Sequence, residues 1–103
     1  IDKFLIIKKS GNSAGGYRMS GTRVGEVTHY FDRLGVATIL LTGQLAKGDA
    51  VHFLGHGSDF IQQINSMQIE HETIQAAKSG DEVAVKTDKP VKALTSVYLV
   101  IDE

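Results

Sequence analysis

The sequence predicts an all-β domain, a small closed six-stranded barrel with an N-terminal arm. Three observations carry this. Short β-branched and aromatic runs recur at near-regular spacing between turns rich in Gly and Asp. No stretch has the length of a stable helix; residues 73–78, with Ile74, Ala76 and Ala77, come nearest and are too short. The chain of 103 residues can bury one core, and is too short for a doubly wound fold or a (β/α)₈ barrel.

The elements follow in order. Phe4-Leu5-Ile6-Ile7 reads as a strand that adds to a sheet edge. Residues 10–16 are small and glycine-rich and read as a flexible link. The arm is therefore taken as residues 1–21, with residues 10–21 the most mobile part, and the barrel as residues 22–103. Residues 24–31 form a strand, and Asp32-Arg33-Leu34-Gly35 turns the chain. Residues 36–42 are apolar on both faces, Val36, Thr38 and Leu40 against Ala37, Ile39 and Leu41. This predicts burial on both sides, with something packed outside the barrel wall.

Lys47-Gly48-Asp49 leads into a strand over residues 50–54, and Gly55-His56-Gly57-Ser58 is a loop tip. Residues 60–69 alternate imperfectly, which predicts one long strand with a bulge or bend. Ser79-Gly80-Asp81 echoes the earlier turn and enters Val83-Ala84-Val85; residues 95–101 close the domain. In both turns glycine permits a positive φ, aspartate caps the turn and a valine re-enters the core.

Composition narrows function. Hydrophobic residues at 42% and charged residues at 22% place the chain among globular proteins. No apolar run approaches the ~18 residues of a membrane span. Cysteine is absent, which excludes disulfides and thiolate metal sites and fits a reducing cytoplasm. A start at Ile1 fits a processed product or one domain of a longer chain. Charge is uneven: residues 1–23 carry five basic side chains against Asp2, and the rest carry six against eleven acidic ones. A basic arm on an acidic body suits either RNA or a solvated tether.

Motifs with catalytic potential fail on context. Gly11-Asn12-Ser13-Ala14-Gly15 matches the G-x-S-x-G of hydrolases, but no helix follows Ser13. Residues 16–23 approach a phosphate-binding loop, yet Thr22 and Arg23 stand where lysine and a hydroxyl residue belong, so no nucleotide site is expected. His52 and His56 would chelate zinc on a helix, but in strands they are far apart unless the Gly55 turn folds them together. Glu70 and Glu72 flank His71 and would share one strand face. No catalytic residue, metal or cofactor is expected. Nucleic-acid contact, if made, would fall to Lys8, Lys9, Arg18 and Arg23, with His29 and Tyr30 stacking on bases.

Val24-Gly25-Glu26-Val27-Thr28-His29-Tyr30-Phe31, Ala46-Lys47-Gly48-Asp49-Ala50-Val51, Ser66-Met67-Gln68-Ile69-Glu70-His71 and Ala77-Lys78-Ser79-Gly80-Asp81-Glu82-Val83 together resemble the second, β-barrel domain of elongation factor Tu-like GTPases. They are most similar to stand-alone elongation factor-like proteins and to the C-terminal domain of collagenase-like peptidases. The likeness covers residues 22–101 and implies a six-stranded closed barrel without GTPase chemistry. It implies a non-enzymatic binding module whose partners are tRNA, the ribosome or other RNA machinery. The second reading is an accessory domain on a larger enzyme, which predicts a contiguous exposed apolar patch.

Overall fold

Strand β2 (Tyr17–Phe31) is the spine of the fold. The computed structural model describes residues 5–8 and 17–102, and every regular element among them is a strand. The first four residues of β2 pair with β1 (Leu5–Lys8), and its second half pairs with β3 (Val36–Leu41). There follow β4 (Leu45–Ala46), β5 (Ala50–Gly55), β6 (Ser58–Gln63), β7 (Met67–Ile69), β8 (Glu72–Ile74), β9 (Ala76–Ala77), β10 (Glu82–Lys86) and β11 (Ser96–Asp102). The main sheet runs β6-β5-β11-β2-β3-β10-β7-β8, with β1 beside β2, while β4 and β9 form a separate ladder. Its pairings are antiparallel, as sequential hairpins require. Residues 9–16 lie outside the described residues, and with them most of the mobile segment expected at 10–21. Residues 17–20 of that segment belong to β2.

Alternation places the core. Ala37, Ile39 and Leu41 of β3 turn inward against Val83 and Val85 of β10, and all five are buried. Val51 and Phe53 line the same interior from β5, and Phe53 stacks on Phe60 with ring centroids 5.1 Å apart. Each large side chain removed from water here contributes about 1.5–3 kcal/mol. The expected burial of both faces of β3 is not found. Val36 and Thr38 are half-exposed and Leu40 is exposed, so the outer apolar face is uncovered.

Two turns share one geometry. At the first, Ala46 N donates to Asp49 Oδ2 (2.9 Å) and Asp49 N donates to Ala46 O (3.0 Å). At the second, Lys78 N donates to Asp81 Oδ2 (3.0 Å) and Asp81 N donates to Lys78 O (3.0 Å). Gly48 and Gly80 both have φ of +96°, a region L side chains rarely adopt. The glycine–aspartate echo in the sequence is thus one turn used twice, at opposite ends of the β4–β9 ladder.

Residues 60–69 do not form one strand. The chain breaks at 64–66, so that β6 pairs with β5 and β7 with β10. Ile64 fills the break, buried, with its N–H on Asp49 O (2.8 Å) and its carbonyl accepting from Gly48 N (2.8 Å). Edge strand β6 meets the end of β10 through one side chain. Buried Gln62 donates from Nε2 to Lys86 O (2.9 Å), and its Oε1 accepts from Asp88 N (2.7 Å). That amide satisfies two backbone groups no ladder reaches. Residues 73–78, the nearest approach to a helix in the sequence, are the short strands β8 and β9 joined at Gln75.

Candidate docking face

The outer face of β2, β3, β10 and β7 is prepared by a β-bulge. Register shifts between Val27, opposite Ile39, and His29, opposite Thr38, so Thr28 is the extra residue. Without it, His29 would point inward and Tyr30 outward. With it, Tyr30 packs against the core, and His29 and Phe31 both face out, edge to face at 4.3 Å between ring centroids. The turn after Phe31 then leaves Leu34 63% exposed and Phe31 43% exposed. Those two, with Val36, Ile69 and Ala84, floor a surface trough of roughly 620 Å³, and Leu40 continues the apolar surface beside Glu82.

One wall of the trough is the β7–β8 hairpin. Its two loop residues, Glu70 (φ 49°) and His71 (φ 70°), both have positive φ, the signature of a type I′ turn. Non-glycine residues hold this conformation at a cost of about 1 kcal/mol or more each. The sequence expectation that Glu70 and Glu72 share a strand face is corrected: Glu70 is in the turn and Glu72 begins β8.

Charge on the trough is of one sign. Glu70, Asp81 and Glu82 line it together with His71, and among the described residues no lysine or arginine does. Lys78 approaches Asp81 at 4.0 Å from outside. Glu82 is held by hydroxyls. Thr28 donates to Glu82 Oε2 at 2.6 Å, and its own oxygen lies 2.7 Å from Thr38 Oγ1. A hydroxyl has one proton, so Thr38 donates to Thr28 and Thr28 to Glu82. The carboxylate is therefore positioned without being neutralised.

Of the sequence-predicted contact residues whose side chains are described, only His29 lies on this face. Lys8 and Arg18 lie on paired strands β1 and β2, and Lys9 is outside the described residues. Arg23 is engaged on its own sheet, with Nε donating to Ser96 Oγ (3.1 Å) and Nη2 3.6 Å from Glu26. Of the aromatic pair, His29 faces out and Tyr30 packs on the core. Ser13 lies outside the described residues, and residues 17–23 of the phosphate-loop likeness run on as strand with no helix after them. His52 is buried in β5, its Nε2 2.6 Å from Asp59 Oδ1, whereas His56 is in the turn with φ of 52°. Among the described residues no three metal-binding side chains converge, and no helix is long and apolar enough to cross a membrane.

Two crystal structures of the C-terminal domain of a U32 peptidase-type protein from Geobacillus thermoleovorans superpose on this fold. One, a selenomethionine variant, matches with a TM-score of 0.72 at 25% identity, over 75% of this chain and 98% of that domain. The chain resembles a U32 peptidase C-terminal domain. The second structure gives a TM-score of 0.68 at 25% identity, over 79% of this chain and 91% of the domain. An uncharacterized protease of Methanocaldococcus jannaschii is 32% identical over 78 residues, 75% of this chain. This chain spans only 19% of that relative's length. No protein-family model matches the chain.

These findings support the peptidase side of the sequence resemblance. They overturn the elongation-factor and RNA-binding reading, because solved neighbours and sequence relative alike are peptidase-type proteins. The V-T-H-Y-F signal, common to both sides of the resemblance, and the K-G-D signal belong to the all-β scaffold. Residues 27–31 set the bulge, and residues 47–49 set a turn.

Proposed function

We propose that this chain is an accessory, non-catalytic domain of a peptidase-type protein, a small closed β-barrel that packs on the larger body of that protein. The carrying observation is the coverage. Nearly all of a U32 peptidase C-terminal domain matches this chain, while the same chain is about a fifth of a whole protease. Closure of the barrel is supported by the Gln62 bridge that joins edge strand β6 to the end of β10, while β2 runs unbroken across the expected boundary between arm and barrel at residues 21 and 22. A cysteine-free composition fits a cytoplasmic setting. The uncovered apolar face of β3 is what such packing requires.

The test is association and cleavage together. The 103-residue chain, added to the peptidase body expressed without this domain, should form a 1:1 complex in sedimentation and should itself leave casein and gelatin intact. Cleavage by the chain alone, or no complex at high micromolar concentration, overturns the reading.

A further inference from the structure

We propose that the trough on the β2–β3–β10–β7 face receives an apolar segment of the peptidase body that carries an arginine or lysine, and that Glu82 receives that cation. The inference rests on the accessory-domain reading and adds the face and the chemistry of the contact. The apolar floor of Phe31, Leu34 and Val36 supplies area whose removal from water favours association. Charge then selects the occupant. Three carboxylates line the trough, and among the described residues no lysine or arginine does. Asp81 already faces Lys78, but a purely apolar segment would cover Glu70 and Glu82 Oε1 with no cation to meet them, at a penalty that leaves little net affinity.

A second copy of this chain is a poor fit for the same reason: an isologous pairing would set carboxylates against carboxylates. Glu82 is the best-placed receiver. The Thr38–Thr28 hydroxyl chain holds its Oε2, and Oε1 has no partner among the described residues. Such a carboxylate loses little side-chain freedom when a cation arrives, so less of the charge-assisted bond is spent on ordering. The strained Glu70-His71 turn also lines the trough, the kind of local strain that persists where a surface has been shaped for contact.

The experiment measures affinity between the peptidase body, expressed without this domain, and variants of the chain, at low and high salt. Leu34→Ser and Glu82→Lys should each weaken binding about tenfold or more. Glu82→Gln should weaken it less and flatten its salt dependence, while Lys92→Ala, outside the trough, should bind as the parent does. Leu34 is exposed, so the melting temperature of Leu34→Ser should stay near the parent's, and the Glu82 variants, which disturb the Thr28 bond, should lose no more stability than Thr28→Val, which serves as their folding control. If the parent binds and neither Leu34→Ser nor Glu82→Lys matters, the trough is not the interface, and the accessory-domain reading stands. If Leu34→Ser weakens binding but both Glu82 variants and salt are silent, the cationic partner is wrong. Should the parent fail to bind, this proposal and the reading beneath it fall together. Self-association of the parent that Leu34→Ser abolishes would make the occupant a second copy.

Discussion

Thr28 and Glu82 belong to strands that never pair, yet the Thr28 hydroxyl reaches the Glu82 carboxylate at 2.6 Å across the top of β3. Thr38, on the strand between, completes the chain at 2.7 Å. The contact exists because the bulge puts Thr28 on the outer face beside its neighbours instead of within the ladder register. Thr28→Val removes the donor and leaves shape nearly unchanged. It should cost about 0.5–1.5 kcal/mol in urea unfolding, and Thr38→Val should cost less, because the direct bond to the carboxylate remains. Equal stability of Thr28→Val and the parent would show that the contact is not formed in solution.

Three glycine substitutions should separate strain from clash. At Gly48 and Gly80 an added Cβ meets open space, so Gly→Ala there costs only the positive φ, about 1 kcal/mol each. At Gly25 the same Cβ would lie 2.7 Å from Ile39 Cγ2 and 2.9 Å from Leu40 O, an overpacking of the core edge. Gly25→Ala should therefore be the worst of the three, by about 1–3 kcal/mol. D-alanine by chemical synthesis should restore stability at 48 and 80 and would not need to do so at 25. A D-residue that is as harmful as the L-residue at 48 contradicts the φ argument.

The β7–β8 loop should be improvable. Replacing Glu70-His71 by Asn-Gly fits the type I′ turn with residues that take positive φ readily. Thermal unfolding of this double variant should show a gain of about 1 kcal/mol. A loss would mean that Glu70 or His71 makes a stabilising contact worth more than the strain.

Gln62→Leu should be costly for its size. It keeps most of the side-chain volume but leaves Lys86 O and Asp88 N without their partner, each a buried or part-buried backbone group. The expected loss is about 1–3 kcal/mol, with faster amide exchange at Asp88 before any other change. Uniform acceleration across the sheet would instead indicate general destabilisation.

Much of this fold was legible. Short strands, the turn at residues 32–35 and the paired Gly48 and Gly80 turns follow from local chemistry, because glycine and aspartate act on their own few residues. The expected lead strand at Phe4–Ile7 corresponds to β1, Leu5–Lys8, on β2. What was illegible depends on partners distant in sequence. Whether Leu40 is covered is decided by what packs outside β3, and nothing in residues 36–42 encodes that. The break at 64–66 arises because Ile64 is drawn to Gly48 and Asp49, and the Glu70-His71 turn lacks the Asn-Gly signal that marks its type. The trough itself was foreseeable only as an unplaced apolar patch. Its site depends on a bulge that swaps the faces of His29 and Tyr30, and one-residue phase changes do not show in residue type.

Strand β11 lies between β5 and β2, joined to β2 from Ser96 to Asp102 and to β5 over Ser96–Leu99. It is also made after every other strand of the sheet. Until Ser96–Asp102 leaves the ribosome, the nascent chain can hold only two separate half-sheets, β6–β5 on one side and β2–β3–β10–β7–β8 on the other. Each then shows the ribosome exit and its neighbours a bare edge rich in unpaired N–H and C=O groups, the template on which nascent chains cross-pair. Cooperative folding of this domain is therefore a late event in its synthesis, and chaperone demand should peak in the interval between translation of β10 and emergence of β11.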